Sequence, residues 1–166
     1  MSLARWYRHA WYGLVGARHA FTPAVCAAIE AEITAAERLQ SGELCFVAEA
    51  ASDFGALRAG MTPRERALAH FARLGVWDTA ANNGTLIYVS LADRCVEIVA
   101  DRGIAARVAA AEWLEICRVV EQHYRARDYE AGSRAAIRAV AAKLAQHFGE
   151  GGSKRGNELP NQPVLL

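Results

Sequence analysis

The chain has 166 residues, of which 53% are hydrophobic and 22% are charged. This length and composition exclude a disordered chain and a disulfide-stapled miniprotein, because the chain can bury a core large enough for one globular domain. The formal net charge of +1 gives no overall attraction to nucleic acid, so we expect no nucleic-acid partner.

Residues 1–20 are predicted to form a basic, aromatic helix, with no Asp or Glu before Glu30. Arg5, Arg8 and Tyr12 lie off its apolar face. That face consists of Leu3, Trp6, Tyr7, Ala10, Trp11 and Leu14. Three alternatives remain open for the segment: packing on the domain or on a second copy of the chain, contact with a membrane surface, and a secretory signal, although its apolar stretch is short and twice interrupted by glycine.

A helix and a strand follow in the segment up to residue 50. Thr22 and Pro23 begin the helix, because threonine is a favoured N-cap and proline a favoured first helical residue. Residues 43–50, ELCFVAEA, place apolar side chains on both faces. This pattern predicts a strand that is buried on most of both sides.

The next helix is predicted to begin at Thr62. Thr62 and Glu65 form a capping-box signature, and Pro63 occupies the first helical position. The predicted inward face consists of Leu68, Phe71, Ala72 and Leu74. We expect the other face to be solvated, with Arg66, His70 and Arg73.

A β-hairpin is the strongest local prediction. The runs at 85–91 and 95–100 are rich in β-branched residues, and only three residues join them. With the turn centred on Ala92 and Asp93, Gly84 lies opposite Asp101. We assign Asp93 and Arg94 to the turn.

Two further helices are predicted to form an antiparallel pair, the second with Asp128 as its N-cap. The core domain then covers residues 21–148. Residues 149–166 show no helical or strand periodicity and are predicted to form a flexible tail. Its GEGGSKRG stretch follows a helix and lacks the ending of a phosphate-binding loop, so we interpret it as a linker.

These elements predict an α/β fold. The first strand and the hairpin are separated by a whole helix, so they pair in parallel through a right-handed crossover. Both faces of the resulting sheet need helical cover. We therefore predict a three-layer α/β/α sandwich, with a small mixed sheet of three strands that contains a central antiparallel hairpin.

The hairpin pairing gathers polar residues at the end away from its turn. The candidate metal ligands are Asp78, Asn82, Asn83 and Asp101. Their carboxylate and amide oxygens suit a hard cation, Ca²⁺ or Mg²⁺. The alternative is that these residues only begin and end strands. Arg102 is a candidate phosphate contact, with exposure to solvent as its alternative.

Sequence motifs for catalysis or an organic cofactor are lacking. There is no GxSxG, HExxH, GxGxxG or EF-hand pattern, so no organic cofactor is expected. The four cysteines are widely separated and are interpreted as small core residues of a protein in a reducing compartment. No two of His70, His123 and His147 stand at metal-ligand spacing.

Two stretches resemble the TPM domain family. NNGTLIYVSLADRCVEIVADRGI is similar to the central signature of that family, and RARDYEAGSRAAIRAV is similar to its turn before the final helix. The residues that match the family pattern are Asn82, Asn83, Gly84, Asp93, Arg94, Gly103, Asp128 and Tyr129. The basic start and the ending NELPNQPVLL further resemble a short bacterial subgroup without secretion signal or membrane anchor.

The resemblance implies an α/β/α sandwich, divalent-cation binding in some members, acid-phosphatase activity in one, and accessory roles in the assembly or repair of membrane complexes in others. The sequence departs from the pattern at DRGIAARVAAAEW, where Val108 or Ala109 replaces a carboxylate. A phosphatase needs concentrated charge stabilisation, which this departure weakens.

The predicted function is a noncatalytic accessory or protein-interaction module that binds a divalent cation. The alternative is a metal-dependent acid phosphatase that acts on phosphomonoesters. Binding of a pyridine nucleotide or a nucleic acid is the lowest-ranked hypothesis, because the sequence has no motif for either and no excess of basic residues. We expect an unidentified protein partner, with contact through residues 1–20, and a cytoplasmic location that includes the periphery of the inner membrane.

Overall fold

A computed structural model describes residues 2–148 and 158–166. The helices are α1 (Leu3–Val15), α2 (Pro23–Leu39), α3 (Phe54–Arg58), α4 (Pro63–Arg73), α5 (Arg102–Ala105), α6 (Ala110–Arg125) and α7 (Tyr129–Phe148). The strands are β1 (Glu43–Glu49), β2 (Gly84–Ser90), β3 (Cys95–Ala100) and β4 (Val164–Leu165), and a short 3₁₀ turn covers Ala17–His19. None of the helices in the described ranges is long and apolar enough to cross a membrane.

The sheet has the order β3-β2-β1-β4 and is mixed, as predicted. β1 and β2 are parallel, and α3 and α4 form the connection between them. β2 and β3 are antiparallel in the predicted register, with Ser90 opposite Cys95, and Asp101 N–H donates a hydrogen bond of 2.9 Å to Gly84 O. The four-residue turn, residues 91–94, thus fixes the pairing of the whole hairpin.

Both faces of the sheet are covered, which confirms the three-layer α/β/α prediction. On one face, side chains such as Phe46 and Ile87 join a core with α2, α6 and α7. On the other face, Val47 and Tyr88 join a smaller core with α4. Every residue of β1 and β2 is buried, because both strands are sandwiched between helical layers.

The end of the chain differs from the prediction. The sequence indicated a tail without secondary structure over 149–166, yet Val164 and Leu165 pair in parallel with β1 as a fourth strand. Leu159 is buried in the core on the α4 side of the sheet. Backbone hydrogen bonds hold this strand, and two residues show no periodicity that a sequence pattern could reveal. Residues 149–157 of the predicted tail, which include the whole predicted linker, lie outside the described residues.

The last two helices form the predicted antiparallel pair. Tyr124 Oη and Ser133 Oγ are 2.9 Å apart near the connecting turn, and Lys143 pairs with Glu112 at the far end. Asp128 is the predicted N-cap, since its Oδ1 accepts a hydrogen bond of 3.2 Å from Ala131 N–H. The pair closes the sheet face on which the larger core lies.

Candidate functional site

The structure brings Asn82 and Asp101 together at the predicted end of the hairpin. Asn82 has a left-handed backbone with φ of 51°, a conformation that asparagine tolerates better than most residues. Its carbonyl accepts a hydrogen bond of 3.1 Å from Gly103 N–H. Arg102 donates from Nε and Nη2 to Asn82 Oδ1, both at 3.2 Å. Arg102, the candidate phosphate contact, therefore already binds an oxygen of the protein.

Asn83 and Asp78 have other surroundings. Asn83 is buried, its Nδ2 donates a hydrogen bond of 2.7 Å to Ser41 O, and its backbone N–H donates one of 3.0 Å to Thr79 Oγ1. Asp78 is exposed in the segment after α4, where its backbone N–H donates to Gly75 O. Asn83 thus ties the start of β2 to the start of β1.

One observation at this end fits a cation and one does not. Asp101 Oδ1 accepts a hydrogen bond of 2.6 Å from Arg102 N–H, whereas Asp101 Oδ2 is buried and has no hydrogen-bond partner among the described residues. A hard cation would satisfy that oxygen, but it needs several more oxygens, and the guanidinium of Arg102 occupies Asn82 Oδ1. Within 2–148 and 158–166, no group of three or more His, Cys, Asp or Glu residues is placed to hold a metal. The cation site stays a prediction.

The opposite end of the sheet carries a buried polar network that the sequence did not reveal. Glu49 is the last residue of β1, and its carboxylate forms an ion pair with Arg66 of α4. The same carboxylate accepts a hydrogen bond from the hydroxyl of Tyr88 on β2. His70 Nε2 lies 3.5 Å from Glu49 Oε1, and the His70 and Tyr88 rings stack with centroids 5.6 Å apart. Arg66 also donates a hydrogen bond of 2.9 Å to Asp53 Oδ2.

This network explains why α4 buries His70 beside its apolar residues. Phe71 and Leu74 pack on the core as predicted, whereas His70, predicted in solvent, is buried, and Leu68, predicted inside, is exposed. Burial would raise the pKa of Glu49, yet the nearby donor groups of His70, Arg66 and Tyr88 outweigh it and lower the pKa to about 2. A buried carboxylate needs a cationic partner, and Arg66 of α4 supplies it.

The hairpin turn is the docking point of α1. Arg5 donates from Nε and Nη2 to the two carboxylate oxygens of Asp93, at 2.8 and 3.0 Å. Arg8 Nε donates to Ala92 O at 2.8 Å. His9 is buried, accepts a hydrogen bond of 3.0 Å from Ser52 N–H at Nδ1, and places Nε2 3.2 Å from Asp93 Oδ1.

Asp93 therefore has a second role beside the turn. Its backbone N–H donates to Ser90 Oγ, as a turn residue would, while its largely buried carboxylate holds α1. Burial tends to raise the pKa of Asp93, but the hydrogen bonds from Arg5 and His9 prevail and lower it. One feature of the sequence indicates this pairing: residues 1–20 are basic and contain no acidic residue, and the hairpin turn contains Asp93.

The apolar face predicted for α1 points away from the domain over most of its length. Leu3 is 88% exposed, Tyr7 72%, Trp11 56% and Leu14 86%. Trp6 alone turns inward among the larger side chains of that face and packs on Phe54, with ring centroids 5.5 Å apart. We call Leu3, Tyr7, Trp11 and Leu14 the α1 stripe. α1 thus packs on the domain, as one of the predicted alternatives has it, but its polar side rather than the predicted apolar face makes most of the contact.

Comparison with known proteins agrees with this architecture. The sequence matches the TPM domain over residues 15–143. The structure is similar to the NMR structure of the BA42 protein from the psychrophilic bacterium Bizionia argentinensis, with a TM-score of 0.73 and 26% sequence identity over 86% of this chain and 93% of that one. No functionally curated protein matches the sequence. Because the match extends over most of the chain and includes the whole hairpin, the protein belongs to the TPM domain family.

Proposed function

We propose that the protein is a noncatalytic accessory module that inserts the α1 stripe into an apolar groove of a partner protein. The observation that carries the proposal is the outward position of Leu3, Tyr7, Trp11 and Leu14. Their spacing places them along one side of the helix, as in helices that bind in grooves. Tryptophan and tyrosine are also the residues that most often dominate protein interfaces.

The way α1 is held supports this role. Arg5, Arg8 and His9 fix one side of the helix to the hairpin turn, so the stripe is already ordered before a partner arrives. A preordered helix loses less conformational entropy on binding than a segment that must fold. The stripe also lies before residue 15, where the match to the family begins.

The charges of α1 favour a protein over a lipid surface. Helices that lie on membranes carry lysine and arginine beside their apolar face, where they meet anionic headgroups. Here Arg5 binds Asp93 and Arg8 binds Ala92 O, so both point toward the domain. α1 itself contains no acidic residue, which also suits a partner groove with an apolar floor.

The state of the cysteines supports a noncatalytic role. Burial raises the pKa of Cys45 to about 11, and burial together with nearby carboxylates raises the pKa values of Cys95 and Cys117 to about 12. A thiol with so high a pKa is protonated at neutral pH and is a poor nucleophile. The acidic side chain of Glu49 is likewise engaged in its own ion pair.

Point substitutions test the proposal better than removal of residues 1–20, because removal would uncover the buried carboxylate of Asp93. We expect Tyr7→Ser/Trp11→Ser to fold normally and to lose a partner that the wild-type protein retains by crosslinking in cell extract. The purified partner should then shift the fluorescence of α1 in the wild type and protect its amides from exchange. Leu114→Ser, at an exposed apolar position of α6, is the matched control.

Three outcomes would overturn the proposal. The double variant could retain the same partner with equal affinity, so that the stripe is not the contact. The wild type could bind vesicles of phosphatidylcholine and phosphatidylglycerol and lose that binding with the substitutions, so that the stripe contacts lipid. It could also dimerise through the stripe in sedimentation experiments, which would make the occupant a second copy of this chain.

A further inference from the structure

A cavity of about 390 Å³ lies where the β2–β3 turn meets the α6–α7 turn. Three arginines line it: Arg94 from the first turn, Arg125 from the end of α6 and Arg127 from the second turn. The remaining wall of the cavity includes Tyr12, Ser90, Leu91, Tyr124 and Tyr129. The cavity is at the opposite end of the hairpin from Asp101 and Arg102, so it is separate from the predicted cation site.

The backbone at two of these arginines is unusual. Arg94 has φ of 57° and Arg127 has φ of 61°, in the left-handed region that favours glycine and asparagine. Glycine or asparagine would adopt this backbone conformation at lower energetic cost than arginine does. The presence of arginine at both positions therefore points to a use for the side chains, and both side chains line the same cavity.

The positive charge of the cavity is only partly neutralised. Glu121 is its one acidic lining residue; it pairs with Arg125 at 3.3 Å and accepts a hydrogen bond of 3.2 Å from Val96 N–H. Arg94 and Arg127 have no side-chain hydrogen bond or ion pair to any residue of the described part of the chain. Two guanidinium groups thus remain available to a ligand.

The neighbouring acidic residues do not compensate for these two charges. A larger concavity of about 740 Å³ adjoins the first and shares Tyr12, Arg127 and Tyr129 with it. Its acidic residues have partners of their own, since Asp128 caps α7 and Glu130 pairs with Arg134 at 3.1 Å. The charges of Arg127 and Arg94 also reach the phenol of Tyr129, where they oppose the rise in its pKa that burial and Tyr12 cause.

We propose that this cavity binds an oxyanion, a carboxylate or a phosphate group, between the guanidinium groups of Arg94 and Arg127. Guanidinium groups present paired N–H donors that match two oxygens of either anion. Tyr12 and Tyr129 supply phenol groups in the same wall, which suit a ligand with an apolar or planar portion beside the anion. The site binds its ligand without a chemical step.

NMR titration of the isotopically labelled full chain tests this site. Inorganic phosphate and succinate are the two probes, each added at constant ionic strength with chloride as the reference. We expect saturable shifts of the amides of residues 90–95 and 124–129, at millimolar concentrations of at least one probe. Saturation by phosphate alone would identify a phosphate ligand, and saturation by succinate alone would identify a carboxylate ligand.

Substitutions then locate the binding. Arg94→Asn and Arg127→Asn keep a residue that tolerates left-handed backbone, so the turns should persist, and circular dichroism checks the fold. Each is expected to weaken probe binding at least fivefold, and Arg125→Gln less than twofold, because Arg125 pairs with Glu121. Arg118→Gln, on the exposed side of α6, is the control. Shifts no larger than those of chloride, or equal affinity in all variants, would overturn the proposal.

Discussion

Glu37, near the end of α2, is a carboxyl group whose ionisation should oppose folding near neutral pH. Its Oε1 accepts a hydrogen bond of 3.0 Å from Leu44 N–H. Burial raises the pKa of Glu37 from 4.5 to about 7, the Leu44 hydrogen bond counters this in part, and Glu43 adds to the rise. Because the folded-state pKa is the higher one, the penalty is absent below pH 4.5, grows with rising pH and is complete above about pH 7.

The magnitude follows from the pKa difference. A rise from 4.5 to about 7, at about 1.4 kcal/mol per unit, corresponds to about 3 kcal/mol. Glu37 is only partly buried, so screening by solvent reduces this to about 1–2 kcal/mol. Glu37→Gln removes the charge and keeps an oxygen for Leu44 N–H. We expect it to raise the free energy of unfolding by about 1–2 kcal/mol at about pH 8 and by much less at about pH 5.

Urea denaturation of both proteins at the two pH values measures this difference. The histidines are common to wild type and variant and cancel in the comparison. Glu30→Gln, at an exposed position of the same helix, is the matched control and should change stability equally at both pH values. An increase in the free energy of unfolding of Glu37→Gln that does not depend on pH would refute the argument. Such an increase would come from packing or helix propensity rather than from a buried charge.

Two further predictions concern the ends of the sheet. Glu49→Gln leaves Arg66 in a buried site without its carboxylate and should lower the free energy of unfolding at neutral pH by about 3 kcal/mol in urea denaturation; an unchanged value would contradict the network. The wild type should lose this contribution as the pH falls from 4.5 toward 2, since the folded-state pKa of Glu49 is the lower one. Ca²⁺ at about 10 mM should raise the melting temperature of the wild type but not of Asp101→Asn, and an equal rise in both would exclude Asp101 as a ligand. Hydrolysis of an aryl phosphate that Asp101→Asn abolishes would instead favour the phosphatase alternative.

The register of the hairpin was predictable from the sequence, whereas the buried faces of two helices were not. A turn centred on Ala92 and Asp93 leaves one antiparallel register, so Gly84 opposite Asp101 followed from the sequence. For α1 and α4 the prediction assumed that the more apolar side faces the domain. The structure reverses this for α1, which docks on the carboxylate of Asp93, and changes it in part for α4, where His70 is buried beside Glu49 while Phe71 and Leu74 still pack on the core. Which acidic residues become buried depends on strands and turns far apart in sequence, so no local periodicity contains that information.

The reversal of α1 also bears on how the protein meets a partner. A helix that keeps Leu3, Tyr7, Trp11 and Leu14 in water gives up the stabilisation that their burial would supply. The two hydrogen bonds from Arg5 to Asp93, together with the contacts of Arg8 and His9, hold it in that orientation. Because these bonds lie on the opposite side of the helix, a partner can cover the stripe without disturbing any of them. Association with a partner can therefore bury the apolar surface of the α1 stripe that folding leaves exposed.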